Sequence, residues 1–259
     1  MEERPTLENC QEIFRLYEVI RVINGVPVFL EDHMDRLFHS ALLTGTKLLP
    51  DRDSLTGMIK KYLSAQKEDT GNIKLLFTIS DLLAEPLCEL NFIPHFYPSE
   101  KDYIHGVKVG LLHADRPVPN AKIQNIDIRD KANYLIKENN LFEVLLIDSD
   151  GNITEGSRSN VFFIKKNQLY TAPGEKILRG ITWIKVLQIC KSAGIQLIEA
   201  DIPANRLDQY DAAFLSGTSP KVLPICSIDK KVYKTDHPLL IEIQNAYNKL
   251  IENYLRGKR

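Results

Sequence analysis

From Leu16 to Ile23 the chain is rich in β-forming residues, and the run ends at Asn24-Gly25, a favoured two-residue turn. The pattern predicts a hairpin whose return strand covers Val26–Leu30, with Pro27 marking a free edge. Helical spacing follows. Met34, Leu37, Phe38, Ala41 and Leu42 fall on one helical stripe that Gly45 is placed to end, and Leu55, Met58, Ile59, Tyr62 and Leu63 form a second. Strands are predicted at Ile73–Ser80, Leu90–Phe96 and Val107–His113. The proline-rich segment Asp115–Asn120 follows as an extended connector.

Beyond the connector, Ile128, Ala132, Leu135 and Ile136 predict a helix capped by Asn125 or Asp127. Short strands are expected at Glu143–Ile147, Val161–Ile164 and Leu169–Thr171. A helix should run from just after Gly180 to Gly194, followed by strands near Gln196–Glu199, Ala212–Leu215 and Val222–Ile225. Leu239, Leu240, Ile243, Ala246, Tyr247, Leu250, Ile251 and Tyr254 give the last helix its buried face, with Asp236 as cap and Pro238 in the first turn. The elements predict an α/β protein in two parts, a small α+β domain (1–115) and a larger mixed-sheet domain (122–259), joined by a connector at 116–121.

Composition narrows the function classes. The 259 residues are 44% hydrophobic and 26% charged, with a formal net charge of -1, ordinary values for a folded soluble protein. No block of like charge points to nucleic acid or an anionic membrane, and no apolar run approaches the roughly 20 residues of a membrane span. The polar, acidic start Met-Glu-Glu-Arg-Pro does not read as a signal peptide. Cys10, Cys88, Cys190 and Cys226 lack paired spacing and are expected to be reduced thiols of a cytoplasmic protein, and the six histidines show no metal spacing.

Three polar segments are candidates for chemistry. Leu178-Arg179-Gly180-Ile181-Thr182 opens a helix, where free backbone N–H groups and the helix dipole favour an anion. An ordinary helix start has the same appearance. Ser216-Gly217-Thr218-Ser219 ends an apolar strand, a common ligand position in α/β sheets and equally a plain turn. Thr154-Glu155-Gly156-Ser157-Arg158-Ser159-Asn160-Val161-Phe162 packs polar groups between short strands, and a solvated turn would explain it as well. Spacing alone does not join the three.

Taken in order with Lys122 and Asn125, and with Tyr17–Val22 and His33-Met34-Asp35-Arg36-Leu37 ahead of them, these segments resemble the aminotransferase class IV family. These are the fold-type IV enzymes of pyridoxal 5′-phosphate (PLP). The resemblance spans most of the chain outside the extreme N-terminus and residues 82–102. It implies a D-amino acid aminotransferase-like fold, a homodimer, and PLP held in the cleft between the domains. Lys122 would be the Schiff-base lysine, Glu155 the partner of the pyridine nitrogen, and Tyr17 the residue facing substrate. Arg36, the backbone at Ile181 and Thr182, and the Gly217-Thr218 turn would hold the phosphate, with Arg158 nearby.

Each assignment has a plainer counterpart in the residues themselves. Lys122 taken alone is a surface lysine, Arg36 has Asp32 at helical i,i+4 spacing, and Tyr17 could pack in the hairpin. The implied reaction is amino transfer between an amino acid, branched-chain ones included, and a 2-oxo acid. The alternatives are 4-amino-4-deoxychorismate lyase chemistry, which releases pyruvate, and a PLP-binding homologue without turnover. The sequence departs from the family at substrate-binding positions. Strand Ile73–Ser80 lacks the Arg-x-His pair of D-amino acid enzymes, Ile13–Leu16 replaces a glycine-containing loop, and Trp183 follows Thr182 where the family has arginine. Arg15 is a candidate for the missing carboxylate contact, with a surface salt bridge as its plainer role.

Overall fold

The computed structural model describes residues 13–46, 49–80 and 85–258, so Cys10 lies outside the described residues. Strands β1 (Phe14–Ile23), β2 (Val26–Pro27), β3 (Gly71–Ile79) and β4 (Leu87–Ile93) form one sheet in the order β2-β1-β3-β4. Helices α1 (Leu30–Leu43) and α2 (Arg52–Ser64) cover one face of it. Strand geometry, which sends alternate residues to opposite faces, sets this packing. Leu16, Ile20 and Val22, with Ile73, Leu75 and Phe77 of β3, meet Met34, Leu37, Leu55 and Ile59. Tyr17, Val19 and Arg21 alternate to the other face, opposite Leu76, Lys74 and Asn72 in register.

The hairpin turn has positive φ at Asn24 and Gly25, as its sequence requires. The return strand is shorter than expected. Only Val26 and Pro27 pair, and Leu30 already begins α1, because Phe29 turns the chain with φ 56. Leu42, assigned to the apolar stripe, is 77% exposed, since the buried arc of α1 ends at Ala41.

The larger sheet runs β10-β9-β8-β11-β12-β5-β6-β7, with β13 (Lys231–Val232) on β12. Its strands are β5 (Val107–His113), β6 (Glu143–Ile147), β7 (Ile153–Gly156), β8 (Asn160–Lys165), β9 (Gln168–Thr171), β10 (Leu197–Glu199), β11 (Ala212–Gly217) and β12 (Lys221–Ile228). Parallel pairs β5–β6, β5–β12 and β9–β10 sit among antiparallel ones, and β7 returns against β8, so the sheet curls. Both faces are covered. Phe162, Ile164 and Phe214 pack under α5 (Ile181–Ala193) and α6 (Pro238–Gly257), while Val161, Phe163 and Leu215 pack with Leu207 and Tyr210 on the other face. A strand buried on both sides reads as a continuous apolar run, as Val161–Ile164 does.

Three features differ from expectation. β5 belongs to the larger sheet, so the chain changes sheets between Ile93 and Val107, ahead of the 116–121 connector. Short helix α3 (Glu100–His105) occupies that crossing, fixed by a Ser99–Asp102 capping box. Helix α6 is capped by His237, whose Nδ1 accepts from Leu239 N, and not by Asp236. Asn125 does cap α4 (Ile126–Glu138), accepting from Ile128 N at 3.0 Å.

The two sheets meet along β1. Residues 122–124 run beside it, joined by one antiparallel bridge between Leu16 and Ile123: Tyr17 N donates to Lys122 O at 3.2 Å and Gln124 N to Arg15 O at 3.0 Å. Asp32 of α1 pairs with Lys185 of α5 at 2.7 Å, and Phe29 packs edge-on to Tyr254 at 5.0 Å.

Candidate active site

That bridge fixes the Lys122 backbone at this junction. Its N–H donates to the buried Ser40 hydroxyl at 3.1 Å, and its Nζ lies 4.7 Å from the centre of the Tyr17 ring. Burial is the largest influence on the amine and pushes its pKa down. The nearby Arg36 and Arg116 charges act in the same direction, against Tyr17 and Glu18. The Tyr17 phenol responds in the opposite sense. Burial alone would raise it, but Lys122, Arg129, Arg116 and Arg36 outweigh that and bring it to about 8. The cleft is strongly cationic around one ring, and Lys74 Nζ also sits 5.3 Å from it.

Glu155, at the end of β7, is buried. Its Oε2 accepts from Leu178 N at 3.2 Å and from Asn160 Nδ2 at 3.4 Å. Arg116 Nε stands 2.7 Å from Oε1, yet its N–H is not aimed along that line, so Oε1 receives no hydrogen bond. Burial is the first cause of a pKa raised to about 7, with Arg116, Leu178 N and Lys122 opposing it.

The loop that presents Glu155 is built around Glu143, a residue the sequence reading placed only as the start of a strand. The buried Glu143 carboxylate accepts from Ser157 Oγ at 2.7 Å, Ser159 Oγ at 3.0 Å, Arg158 N at 3.1 Å and Val144 N at 2.9 Å. Gly156 is required by this folding, since a Cβ there would lie 2.2 Å from Ser159 Oγ. Gly156→Ala should therefore destabilise the protein by about 1–3 kcal/mol, as overpacked sites do, measurable by urea denaturation. Gly180 is explained similarly, because Asn160 Oδ1 fills the place of its side chain at 2.4 Å.

Arg36 does not pair with Asp32. Its Nε and Nη2 grip Glu18 at 2.8 and 2.5 Å, and His33 Nδ1 lies 2.7 Å from the same carboxylate. Arg158 is exposed, and its guanidinium donates to Asn133 of α4. Arg15 is exposed and has no ion pair among the described residues.

Ile181 and Thr182 form the first turn of α5, which has no side-chain cap, so its leading N–H groups have no partner within the helix. Thr182 Oγ1 meets Tyr247 OH at 3.1 Å. Ile181, Thr182 and Thr218 line one small cavity with Arg21 and His33, and Thr218 Oγ1 donates to Val19 O at 3.4 Å. Trp183 is buried, with Nε1 donating to Thr171 Oγ1 at 3.2 Å, so this departure from the family pattern is a core residue. Among the described residues there is no metal-binding cluster, and Cys88, Cys190 and Cys226 are free thiols.

Fold and site together define a class. The sequence pattern of the amino-transferase class IV family matches residues 15–228, and the chain belongs to that family. It is similar to a D-alanine aminotransferase of Bacillus licheniformis, 31% identical over 237 residues that cover 86% of this chain and 82% of the relative. The branched-chain aminotransferase of Thermoproteus uzoniensis, solved with norvaline, superposes with a TM-score of 0.82 at 26% identity, covering 94% of this chain and 88% of that one. A Legionella pneumophila protein provisionally named a 4-amino-4-deoxychorismate lyase shares the fold at a TM-score of 0.82 and 22% identity, over 91% of this chain and 90% of its own. No helix among the described residues is long and apolar enough to cross a membrane.

Proposed function

We propose that the protein is a PLP-dependent aminotransferase that moves an amino group between an amino acid, branched-chain ones included, and a 2-oxo acid. The observation that carries this reading is the buried Glu155 carboxylate, whose Oε1 has Arg116 Nε at 2.7 Å but no aligned hydrogen-bond donor, electrostatically coupled to a desolvated lysine amine. That is the pair a pyridine N–H and an aldehyde require. Bound PLP supplies an aldehyde that condenses with amines and a ring that withdraws electrons from the substrate Cα.

Lys122 Nζ, whose pKa burial pushes down, would hold the aldehyde carbon and, when displaced by substrate, carry the Cα proton. Glu155 Oε1 would accept from the ring N–H and keep that nitrogen charged. Arg36, the Ile181 and Thr182 N–H groups and the Gly217-Thr218 turn would face the phosphate. Arg158 would act only indirectly, since its guanidinium is engaged by Asn133 and its N–H by Glu143. The Tyr17 ring would shield the lysine and face substrate.

Glu155→Gln should leave PLP bound and slow Cα proton removal by about 10²-fold, the scale of one charge-stabilising group. Its measure is the turnover of Cα-deuterated alanine, and an unchanged rate would take Glu155 out of this role. Both enantiomers of alanine belong in the donor screen. The Bacillus licheniformis relative is named for D-alanine, whereas β3 here lacks the Arg-x-His pair. Aminodeoxychorismate should be assayed alongside, because pyruvate release without amino transfer would replace this reading by the lyase one. A homodimer in the cytoplasm completes the proposal, with sedimentation as the check on assembly.

A further inference from the structure

We propose that Arg129 receives the substrate carboxylate in this site, holding it against the Tyr17 hydroxyl. The proposal rests on the aminotransferase reading and supplies the contact for which the sequence offers no Arg-x-His pair.

Arg129 lies in the first turn of α4, one turn after Asn125 caps that helix and seven residues after Lys122. Its Nη2 donates to Tyr17 OH at 3.3 Å, while Lys122 Nζ lies 4.7 Å from the centre of the same ring. One aromatic side chain thus spans the distance from the reacting amine to a guanidinium. A ligand with an amino or keto carbon at Lys122 and an anionic end beyond it would meet both.

Three cations at this junction have carboxylates: Arg36 has Glu18, Arg116 has Glu155 and Lys185 has Asp32. Arg129 shares its lack of one with Arg21, Lys74 and Lys122, and of these it is the one that donates to the Tyr17 hydroxyl. Among the described residues, Arg129 has no carboxylate within ion-pair distance, and neither does Arg158 beside it. Arg158 is turned back onto Asn133, one helical turn beyond Arg129. Arg129 spends one donor on a neutral hydroxyl and keeps a fork suited to two carboxylate oxygens. The helix start beneath it adds positive potential.

The test uses the PLP-loaded protein and propionate, which is alanine without its amine, read by the visible absorbance of bound PLP. Propionate should titrate the unmodified protein. Arg129→Met should weaken that titration at least tenfold with PLP content and starting spectrum unchanged, and Arg129→Lys should lose less than Arg129→Met, because the charge remains while the two-oxygen fork is gone. If the arginine merely positioned Tyr17, the starting spectrum would shift in Arg129→Met while propionate affinity held. That result, equal losses in both variants, or no response of the unmodified protein to propionate would each overturn the proposal. Failure of the unmodified chain to take up PLP would overturn the aminotransferase reading and this proposal with it.

Discussion

Lys122→Ala is expected to lose covalently held PLP and to slow amino transfer by at least about 10³-fold, the combined scale of a missing nucleophile and a missing proton carrier. The expectation follows from where the chain places the amine. Residues 122–124 are hydrogen-bonded along β1, and Ser40 holds the Lys122 N–H, so the backbone is fixed whatever side chain it carries. The variant should therefore fold, and its thermal unfolding should match the unmodified protein closely. Among the described residues, Lys74 of β3 also approaches this ring, at 5.3 Å against 4.7 Å for Lys122. Added methylamine should restore part of the proton-transfer rate without restoring covalent attachment. Full activity in Lys122→Ala would remove the lysine from the chemistry.

Glu18→Ala is expected to cost about 3–5 kcal/mol of stability, the range for stripping one partner from a buried ion pair. Glu18 is 0% exposed, and its removal would leave Arg36 and His33 enclosed without their acceptor. The same cluster makes stability acid-sensitive. Burial by itself would raise the Glu18 pKa, but the Arg36 and His33 contacts outweigh it and hold the group at about 2, below its ordinary 4.5. Its stabilisation is thus complete above about 4.5 and is lost as pH falls towards 2. His33 adds to this, since burial lowers its pKa from the ordinary 6.5 despite Glu18. An unfolded histidine takes up a proton below that value while the buried one resists. Urea unfolding followed from pH 7 to pH 3 should show the unmodified protein weakening with acid, and Glu18→Ala starting lower on a flatter slope. An undiminished Glu18→Ala would show that the pair is neutral to stability. If Arg36 also faces the phosphate, the variant should bind PLP less tightly.

Much of this architecture is legible in the chain because periodicity reports burial. The α2 stripe and the long face of α6 both follow from one side meeting a core. The reading fails where neighbours decide. Leu42 has the right spacing but lies beyond the packed arc, and β7 is four residues of a polar motif whose pairing with β6 sets its conformation. β5 has the composition of any strand, and nothing local says which sheet it joins.

The site shows the same division. Lys122, Glu155 and the α5 start stand in ordered motifs, so the chain order reveals them. Glu143 lies outside them, and Glu18, although within Tyr17–Val22, has no role in that segment alone, because each draws its meaning from partners distant in sequence: Arg36 and His33 for Glu18, Ser157 and Ser159 for Glu143. A buried glutamate at the inward phase of an apolar alternation, as at Glu18 between Leu16 and Ile20, is the one sequence signal that could have found the first. Arg129 carried no signal beyond its place one turn past a helix cap.

The account depends on a covalent bond between PLP and one particular amine. Reduction of the PLP-loaded protein with borohydride, followed by proteolysis and mass spectrometry, would locate that bond directly. The pyridoxyl group should appear on the peptide containing Lys122 and nowhere else. A label on Lys74, Lys185 or any other lysine, or no label on a protein that nonetheless transfers amino groups, would contradict it.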